Sequence, residues 1–280
     1  MEKLFFHALL SFCAISFVAC ENFTKIQETT TNRVNQKQTI SATNEKTYTR
    51  KSKDLKGAKL LGFDEQGRKQ EFLIKDVELD PKDPEKETYL YTVFYQDKAD
   101  FQWKNLCHPD IHNVAKAIPL SGSWDATGTH IESDKLITFA CTNGVLAKCA
   151  RFGYKPWKKV KGKSLRDFHQ ACTRMLRADY CGNGKGHTRE GTPVYIYDVL
   201  DIQTQTPNTN GMVFEAAWGP NGATCINRPR WLETLSEIGS ECPEKLKERT
   251  NEGGTCTTAQ KAKQNWSGSL IFNDSFVRKR

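Results

Sequence analysis

Apolar residues fall into short runs along most of the chain, with turn-forming residues between them. Between residues 58 and 95 the apolar and polar positions alternate with a spacing of two, as at Phe72 and Ile74. This spacing is typical of β-strands. The polar segments Asp64–Gly67 and Asp80–Pro84 supply turns between the runs. The pattern predicts a β-meander in this region.

One segment has the spacing of an amphipathic helix. Its apolar positions recur every three or four residues and form one stripe, which consists of Leu165, Phe168, Cys172, Met175 and Leu176. Ser164 is placed to cap the first turn. Asp167 stands at the capping-box position, where its charge also suits the helix dipole. The pattern predicts a central helix that begins at Ser164 and turns Cys172 into the core.

Other signals complete a β-rich chain. Asn143-Gly144, between two apolar runs, predicts a hairpin, although residues 146–149 also fit a single helical turn. Gly219–Gly222 is a second hairpin signal. The segment 101–129 lacks a regular spacing, and we expect it to cover the core as a long irregular stretch. The remaining predicted elements are strands at 193–200 and 270–277 and short helices at 231–238 and 244–248.

The first twenty residues have the layout of an export signal. Lys3 gives a basic start, and residues 4–18 form an apolar run that is too short for a membrane-spanning helix. The run ends in Phe17-Val18-Ala19-Cys20, which resembles a bacterial lipoprotein cleavage box. The resemblance implies that residues 1–19 are removed, that Cys20 carries a lipid such as palmitate, and that the protein is attached to a membrane outside the cytoplasm. Ordinary signal cleavage or an uncleaved anchor is the alternative.

The residues after Cys20 predict a tether. Residues 20–56 are rich in Thr, Asn, Gln and Lys, and their few apolar residues have no period. Such a segment cannot bury enough surface to offset the entropy of ordering it. A first strand within residues 33–40 is the alternative, and the folded domain is expected over residues 57–280. Glu21 is not the aspartate of an inner-membrane retention signal, which favours the outer membrane.

Eight cysteines remain outside the predicted signal and lipid site, and they are Cys107, Cys141, Cys149, Cys172, Cys181, Cys225, Cys242 and Cys256. An even number in an exported chain predicts four disulfides. The sequence leaves the pairing open, and local spacing only suggests testing Cys141 with Cys149 and Cys172 with Cys181. The predicted fold class is therefore α+β: an antiparallel, β-rich domain with one central amphipathic helix and short C-terminal helices, stapled by disulfides.

The basic charge is concentrated in the middle of the chain. Residues 148–189 contain twelve Lys or Arg and two Asp, whereas the formal net charge of the whole chain is +8. Basic residues around an aromatic ring can bind an anionic polysaccharide, a lipid headgroup or nucleic acid. A solvated loop is the plainer interpretation, and export makes nucleic acid the least favoured partner. The candidate ligand-binding residues are Lys155, Trp157, Lys158, Lys159, Lys185, His187 and Arg189.

Three blocks of sequence resemble one family. Ala178-Asp179-Tyr180-Cys181 with its continuation to Thr192, the upstream block Phe139–Trp157 and the downstream block Phe214–Trp231 are together similar to the bacterial ADYC-domain family. The resemblance covers about Gly57–Cys256 and implies an exported or lipoprotein-like protein. The resemblance implies no particular activity, and it therefore indicates no catalytic residue.

Few residues suggest chemistry. His187 and Asp179 would form an acid/base pair if the loop folds back, and His169 is a further catalytic candidate. The plainer interpretation is a helix C-terminal turn that leaves His187 and Arg189 exposed. The glycines of residues 182–191 do not fit a phosphate loop, because Gly186 follows Lys185 where Ser or Thr is required.

A further pair of histidines offers candidate metal ligands. His108 and His112 would share a face if Pro109 started a helix, but no third ligand follows at a suitable spacing. Neither a metal nor a cofactor is therefore predicted.

Three functions remain open at this point. The leading hypothesis is a membrane-anchored envelope lipoprotein whose domain binds an anionic envelope or extracellular ligand. The alternative is an envelope hydrolase that acts on a cell-wall or carbohydrate substrate with His187 and Asp179. A structural envelope protein recognised by other proteins is the third. The sequence does not determine the ligand or the oligomeric state.

Overall fold

The structure is a computed structural model, and it describes residues 39–41, 55–64, 67–206, 211–246 and 256–277. The predicted export signal, the predicted lipid site at Cys20 and most of the predicted tether lie outside these residues. Within the described ranges, no helix has the length and apolar character needed to cross a membrane.

The first half of the described chain forms an antiparallel sheet that closes on itself. The strands of this half are β1 (Thr39–Ser41), β2 (Lys59–Phe63), β3 (Lys69–Leu79), β4 (Tyr89–Gln96), β5 (Trp103–Asn105), β6 (Ala117–Ser121), β7 (Ser123–Trp124), β8 (His130–Ile131) and β9 (Leu136–Cys141). The order in the sheet is β3-β2-β1-β9-β6-β4-β5, and β3 also pairs with β4, which completes the ring. Strands β7 and β8 form a separate small hairpin.

Apolar and polar residues alternate along these strands. One face of each strand therefore points into the interior of the closed sheet. Phe72 and Ile74 of β3 pack there with Tyr91 and Val93 of β4 and with Phe139 of β9, and all five are almost inaccessible to solvent. Strands β2, β3 and β4 are consecutive antiparallel neighbours. The predicted β-meander is therefore confirmed.

Two helices lie between the closed sheet and a second sheet. After α1 (Val145–Arg151), the chain forms a short hairpin of β10 (Lys159–Val160) and β11 (Lys163–Ser164) and then α2 (Arg166–Arg177). Ala147 and Ala150 of α1 pack on the outer face of the closed sheet, in a cluster with Ile118 and Ala140. A disulfide joins Cys149 of α1 to Cys172 of α2, so the two helices are fixed to each other.

The apolar stripe of α2 packs against the second sheet. That sheet has the order β12-β15-β13-β14, and its strands are β12 (Val194–Asp198), β13 (Val213–Gly219), β14 (Gly222–Ile226) and β15 (Ile271–Ser275). Phe168 and Met175 of α2 share a buried cluster with Trp218 and Ile271 of the sheet. The short helices α3 (Leu235–Glu241) and α4 (Ala259–Asn265) follow, with 3-10 turns at Leu232–Thr234 and Pro243–Lys245.

The predicted fold class is confirmed, because the domain is antiparallel and β-rich with a central amphipathic helix and short helices near its C-terminal end. The hairpin at Gly219–Gly222 and the last strand within residues 270–277 are also confirmed. All eight domain cysteines are paired, as Cys107–Cys141, Cys149–Cys172, Cys181–Cys242 and Cys225–Cys256.

The two local disulfide pairings were wrong. Cys141 stands at the end of β9 beside Cys107, whereas Cys149 faces α2 from the next helix. Cys172 points from α2 toward α1, whereas Cys181 lies beyond the end of α2 and is bonded to Cys242. In both cases the two cysteines face different partners, so closeness in sequence did not bring them together.

Several predicted elements differ from the structure. Asn143-Gly144 does not form a hairpin but precedes α1, whose buried positions have helical spacing. The segment 101–129 contains β5 and β6, and β6 is an internal strand of the closed sheet. Residues 39–41, predicted as part of the tether, form β1, which agrees in part with the alternative of a first strand. Leu165 rather than Ser164 is the N-cap of α2.

Candidate functional site

The turn after α2 is built by Ala178-Asp179-Tyr180-Cys181. Ala178 ends the helix in the left-handed conformation, with a φ of 51°, and the amide of Asp179 donates to the carbonyl of Arg174 at 2.9 Å. Such bonds satisfy the last carbonyls of a helix. The turn thereby places Asp179 and Tyr180 in the core, where neither side chain is accessible to solvent.

Tyr180 belongs to a buried hydrogen-bonded group with Glu215 of β13 and Arg230. Its hydroxyl donates to Oε1 of Glu215 at 2.9 Å and accepts the backbone amide of Arg230 at 3.0 Å. The Arg230 guanidinium donates to the same carboxylate, with Nη2 2.9 Å from Oε1. Burial raises the pKa of Tyr180 well above its usual value, and the nearby Glu215 charge acts in the same direction. The group therefore holds α2, the turn and β13 together, and Tyr180 stays neutral.

Asp179 is paired with Arg174 of α2. Its Oδ2 lies 2.5 Å from Nη1 of the guanidinium and also accepts the backbone amide of Gly184 at 3.0 Å. The carboxylate thus fixes the start of the glycine-rich loop to the helix. It makes no hydrogen bond to His187, since Oδ1 has no partner in the described structure. The predicted acid/base pair of Asp179 and His187 is therefore not formed.

His187 is buried rather than exposed, contrary to the plainer prediction for the loop. Its side chain is 1% exposed, and its ring nitrogen Nδ1 lies 3.2 Å from the carbonyl oxygen of Ala178. The other ring nitrogen, Nε2, has no hydrogen-bond partner in the described structure and faces Oε2 of Glu237 at 3.4 Å. The hydrogen bonds of these two nitrogens involve no hydroxyl or thiol among the described residues.

Glu237 and Glu241 stand on α3 and face the loop that carries His187. They are four residues apart and so share one face of the helix. The Lys185 ammonium forms ion pairs with both carboxylates, at 2.5 Å from Oε1 of Glu241, and Asn183 donates to Oε2 of Glu241 at 3.2 Å. The Cys181–Cys242 disulfide joins the start of this loop to the end of α3.

We name the three side chains of His187, Glu237 and Glu241 the His–Glu–Glu cluster. One ligand atom from each of the three lies within 4.8 Å of the others, and in the described part of the chain this is the one group of three or more metal-ligating side chains of this kind. It was missed at the level of sequence because about fifty residues separate its two halves. Glu237 falls within the helix predicted at 231–238, but Glu241 lies beyond its predicted end, and the spacing of four between the two glutamates was the available signal.

Lys155 does not belong to an exposed basic surface. Its side chain is 5% exposed, and its Nζ pairs with carboxylates of Asp83 at 2.8 Å, Glu85 at 2.5 Å and Glu87 at 3.0 Å. Burial opposes ionisation of Asp83, but hydrogen bonds from Lys155 and Thr88 outweigh it and hold the pKa of this carboxyl well below its usual value. Lys155 therefore stabilises the segment between β3 and β4.

Most other cations of the predicted basic face are also paired. Lys158 lies 2.5 Å from Oε1 of Glu85, and Arg189 pairs with Glu233 at 2.5 Å and stacks on the Trp231 ring. Trp157 packs against the cluster between α1 and the closed sheet. Among the candidate ligand-binding lysines, Lys159 is exposed and has no carboxylate partner in the described residues. The face is therefore much less basic than its sequence suggests.

His169 is buried inside the molecule. Its Nε2 donates to the carbonyl of Leu146 at 2.9 Å, and burial lowers its pKa to about 4. It lies beside a small cavity lined by residues that include Trp124, His130 and Gln170. The ring is neutral at neutral pH and joins α2 to α1. Pro109 starts no helix, so His108 and His112 lie in an exposed turn.

Comparison with protein-family models gives a match over most of the described domain. Residues 52–232 match the model described as the ADYC domain, which is more than half of the chain. The comparison with curated proteins gave no match, and neither did the comparison with solved structures.

Proposed function

Since the chain belongs to the ADYC-domain family, we propose that it is an exported lipoprotein, attached to the outer membrane through Cys20, and that its domain is a binding module for an anionic ligand. The observation that supports export is the pairing of all eight cysteines of the domain. Four disulfides are typical of proteins in an oxidising compartment. The cysteines outside these bridges are Cys13 and Cys20, and only Cys20 follows a lipoprotein-like box.

Labelling with radioactive palmitate tests the anchor. In bacterial cells that produce the full chain, the wild-type protein should take up the label and float with the outer membrane in a density gradient. The variant Cys20→Ser should lose the label, while the matched variant Cys13→Ser should keep it. Equal labelling of the two variants would disprove attachment through Cys20, and flotation with the inner membrane would disprove the proposed membrane.

The anionic ligand is assigned to the lysine hairpin, which we define as residues 159–164. Lys161 and Gly162 form its turn with positive φ angles of 50° and 77°, and they place the flanking Lys159 and Lys163 in solvent. Lys161 pairs with Asp201 in an exposed contact at 3.1 Å, whereas Lys159 and Lys163 have no carboxylate partner in the described residues. Exposed cations without internal partners keep their charge available to an anionic surface.

Binding to vesicles and to heparin tests this surface. The vesicles represent a lipid headgroup as the ligand, and heparin represents an anionic polysaccharide. We expect the full-length protein with Cys20→Ser, which has no lipid to insert into the vesicle, to bind phosphatidylglycerol-containing vesicles or a heparin column with an affinity that falls as salt rises. The double variant Lys159→Glu/Lys163→Glu should lose about thirtyfold or more in vesicle affinity. The matched single variant Lys75→Glu changes an exposed lysine on β3 and should bind like the wild type. Equal binding by all three proteins would refute the assignment.

A further inference from the structure

One ring nitrogen of His187 makes a hydrogen bond that orients the imidazole. The other ring nitrogen has no hydrogen-bond partner in the described structure. A backbone carbonyl only accepts hydrogen bonds, so the contact of 3.2 Å with Ala178 places the proton on Nδ1. In a neutral ring Nε2 then carries a lone pair, and it points at the Glu237 carboxylate, which is also an acceptor. Histidines that bind metals are usually held in this way, with the second ring nitrogen donating to a carbonyl or carboxylate.

The distance between the two acceptors fits a shared cation. Nε2 of His187 and Oε2 of Glu237 are 3.4 Å apart, whereas a charge-assisted hydrogen bond between them would measure about 2.7–2.9 Å. Two ligands of a tetrahedral Zn²⁺, each about 2.0–2.2 Å from the metal, are separated by about 3.3–3.5 Å. The ligand atom of Glu241 lies within 4.8 Å of both, so a side-chain rotation has to bring it closer for all three to share the ion.

A cation already stands against the two carboxylates. The Lys185 ammonium contacts both Glu237 and Glu241. The Lys185 side chain is 47% exposed, so it can turn into solvent without disturbing the core. An ammonium group and a divalent cation would therefore compete for the same oxygen atoms.

We propose that His187, Glu237 and Glu241 form a binding site for Zn²⁺, and that Lys185 is the internal competitor that the metal displaces. A neutral imidazole with two carboxylates balances the charge of a divalent ion. Imidazole nitrogen suits zinc and other late transition metals, whereas Ca²⁺ and Mg²⁺ prefer oxygen ligands. The Glu237 side chain is 44% exposed, so the cluster can be reached from solvent. The site is independent of the lipid anchor and of the lysine hairpin.

Isothermal titration of the full-length protein with ZnCl₂ tests the site. The protein is purified in mild detergent with an affinity tag free of histidine, and metals are removed beforehand with a chelator. We expect one Zn²⁺ per chain, and we expect Lys185→Met to bind it about five- to tenfold more tightly than the wild type, since one exposed competing cation is removed. Glu237→Gln should bind at least about tenfold more weakly, and His187→Gln should abolish binding.

Two matched variants separate this site from other metal-binding groups. Glu233→Gln changes a neighbouring carboxylate that pairs with Arg189, and His112→Gln changes an exposed histidine. Both should bind Zn²⁺ like the wild type. With Co²⁺ in place of Zn²⁺, Lys185→Met should show the strong visible absorption of a tetrahedral complex, and Glu237→Gln should not.

The proposal is overturned if Lys185→Met binds no zinc, or if it binds zinc no more tightly than Glu237→Gln. It is also overturned if His112→Gln removes the zinc that the wild type binds. Because His187 is buried, its variant could misfold, and this would be seen as a lost disulfide or an altered circular dichroism spectrum. If His187→Gln misfolds, the variants Glu237→Gln and Lys185→Met decide the outcome, because they change half-exposed side chains.

Discussion

Gly182 and Gly222 leave each other no room for a side chain. A Cβ atom on Gly182 would lie 2.2 Å from the carbonyl oxygen of Asn221, and a Cβ atom on Gly222 would lie 2.7 Å from the backbone nitrogen of Gly182. Beside this contact, the amide of Ala223 donates to the carbonyl of Tyr180 at 2.9 Å. The turn after α2 and the β13–β14 hairpin therefore meet backbone to backbone.

Gly182→Ala should strongly destabilise the domain. Its φ of 73° is one that alanine adopts at a cost of about 1–2 kcal/mol, and the clash with Asn221 adds about 1–3 kcal/mol. We expect the free energy of unfolding in urea to fall by about 3 kcal/mol. The matched variant Gly191→Ala has a similar φ of 75°, but its Cβ atom would meet nothing within 4 Å. Its free energy of unfolding should therefore fall only by the cost of the left-handed backbone conformation. Equal losses would show that the close approach costs nothing.

Glu215→Gln should be among the most damaging single changes in the core. It leaves the Arg230 guanidinium, which is 1% exposed, without its counter-charge in a buried place. Removing one partner of a buried ion pair costs about 3–5 kcal/mol, and urea unfolding should show a loss of this size. Glu233→Gln breaks the more exposed pair with Arg189 and should cost less than about 1 kcal/mol. Similar losses from both variants would contradict a structural role for the buried group.

The preference of buried His169 for its neutral form should make the folded protein less stable in mild acid. Its folded-state pKa of about 4 lies below the unfolded value of about 6.5, so its contribution is complete above about pH 6.5 and is lost as the pH falls toward 4. Between about pH 7.5 and pH 5, the free energy of unfolding should drop by about 2 kcal/mol from this group. His169→Gln should remove that part of the pH dependence, and His112→Gln should retain it. An unchanged slope in His169→Gln would show that another group is responsible.

The carboxylates around Lys155 should produce a second loss of stability in stronger acid. The pKa of Asp83 is lowered in the folded state, so its contribution is present above the unfolded value of about 3.9 and disappears as the pH falls below it. Asp83→Asn should therefore flatten the fall in unfolding free energy measured between about pH 5 and pH 3. Asp134→Asn, at an exposed position, should keep the wild-type slope. A slope that is the same in both variants would refute this assignment.

The regular patterns of the sequence were sufficient for much of the fold. Alternation at Phe72 and Ile74 identified a strand with one buried face, and the stripe that includes Phe168 and Met175 identified α2. These predictions succeed because burial on one face imposes a period on the sequence. The internal strand β6 was missed because four of its five residues are buried, so no alternation marks it.

The candidate site could not be predicted, because its contacts join distant parts of the chain. Lys155 meets Asp83 across 72 residues, so a run of lysines that looks basic in sequence is largely neutralised in space. His187 was singled out from the sequence, but its neighbour is Glu237 of α3 and not Asp179. Sequence identifies which groups can react or bind, whereas tertiary packing decides which of them meet.

The order of the disulfides along the chain has a consequence for how the protein is oxidised. If the chain crosses a membrane N-terminus first, pairing each cysteine with the next one to emerge gives the native bridges Cys107–Cys141 and Cys149–Cys172. The later bridges interleave, since Cys225 emerges before Cys242, the partner of Cys181. Consecutive pairing would therefore trap non-native bonds in the C-terminal half, and thiol–disulfide exchange must correct them. In cells that lack a disulfide isomerase, mass-spectrometric mapping should find mispaired cysteines only in that half.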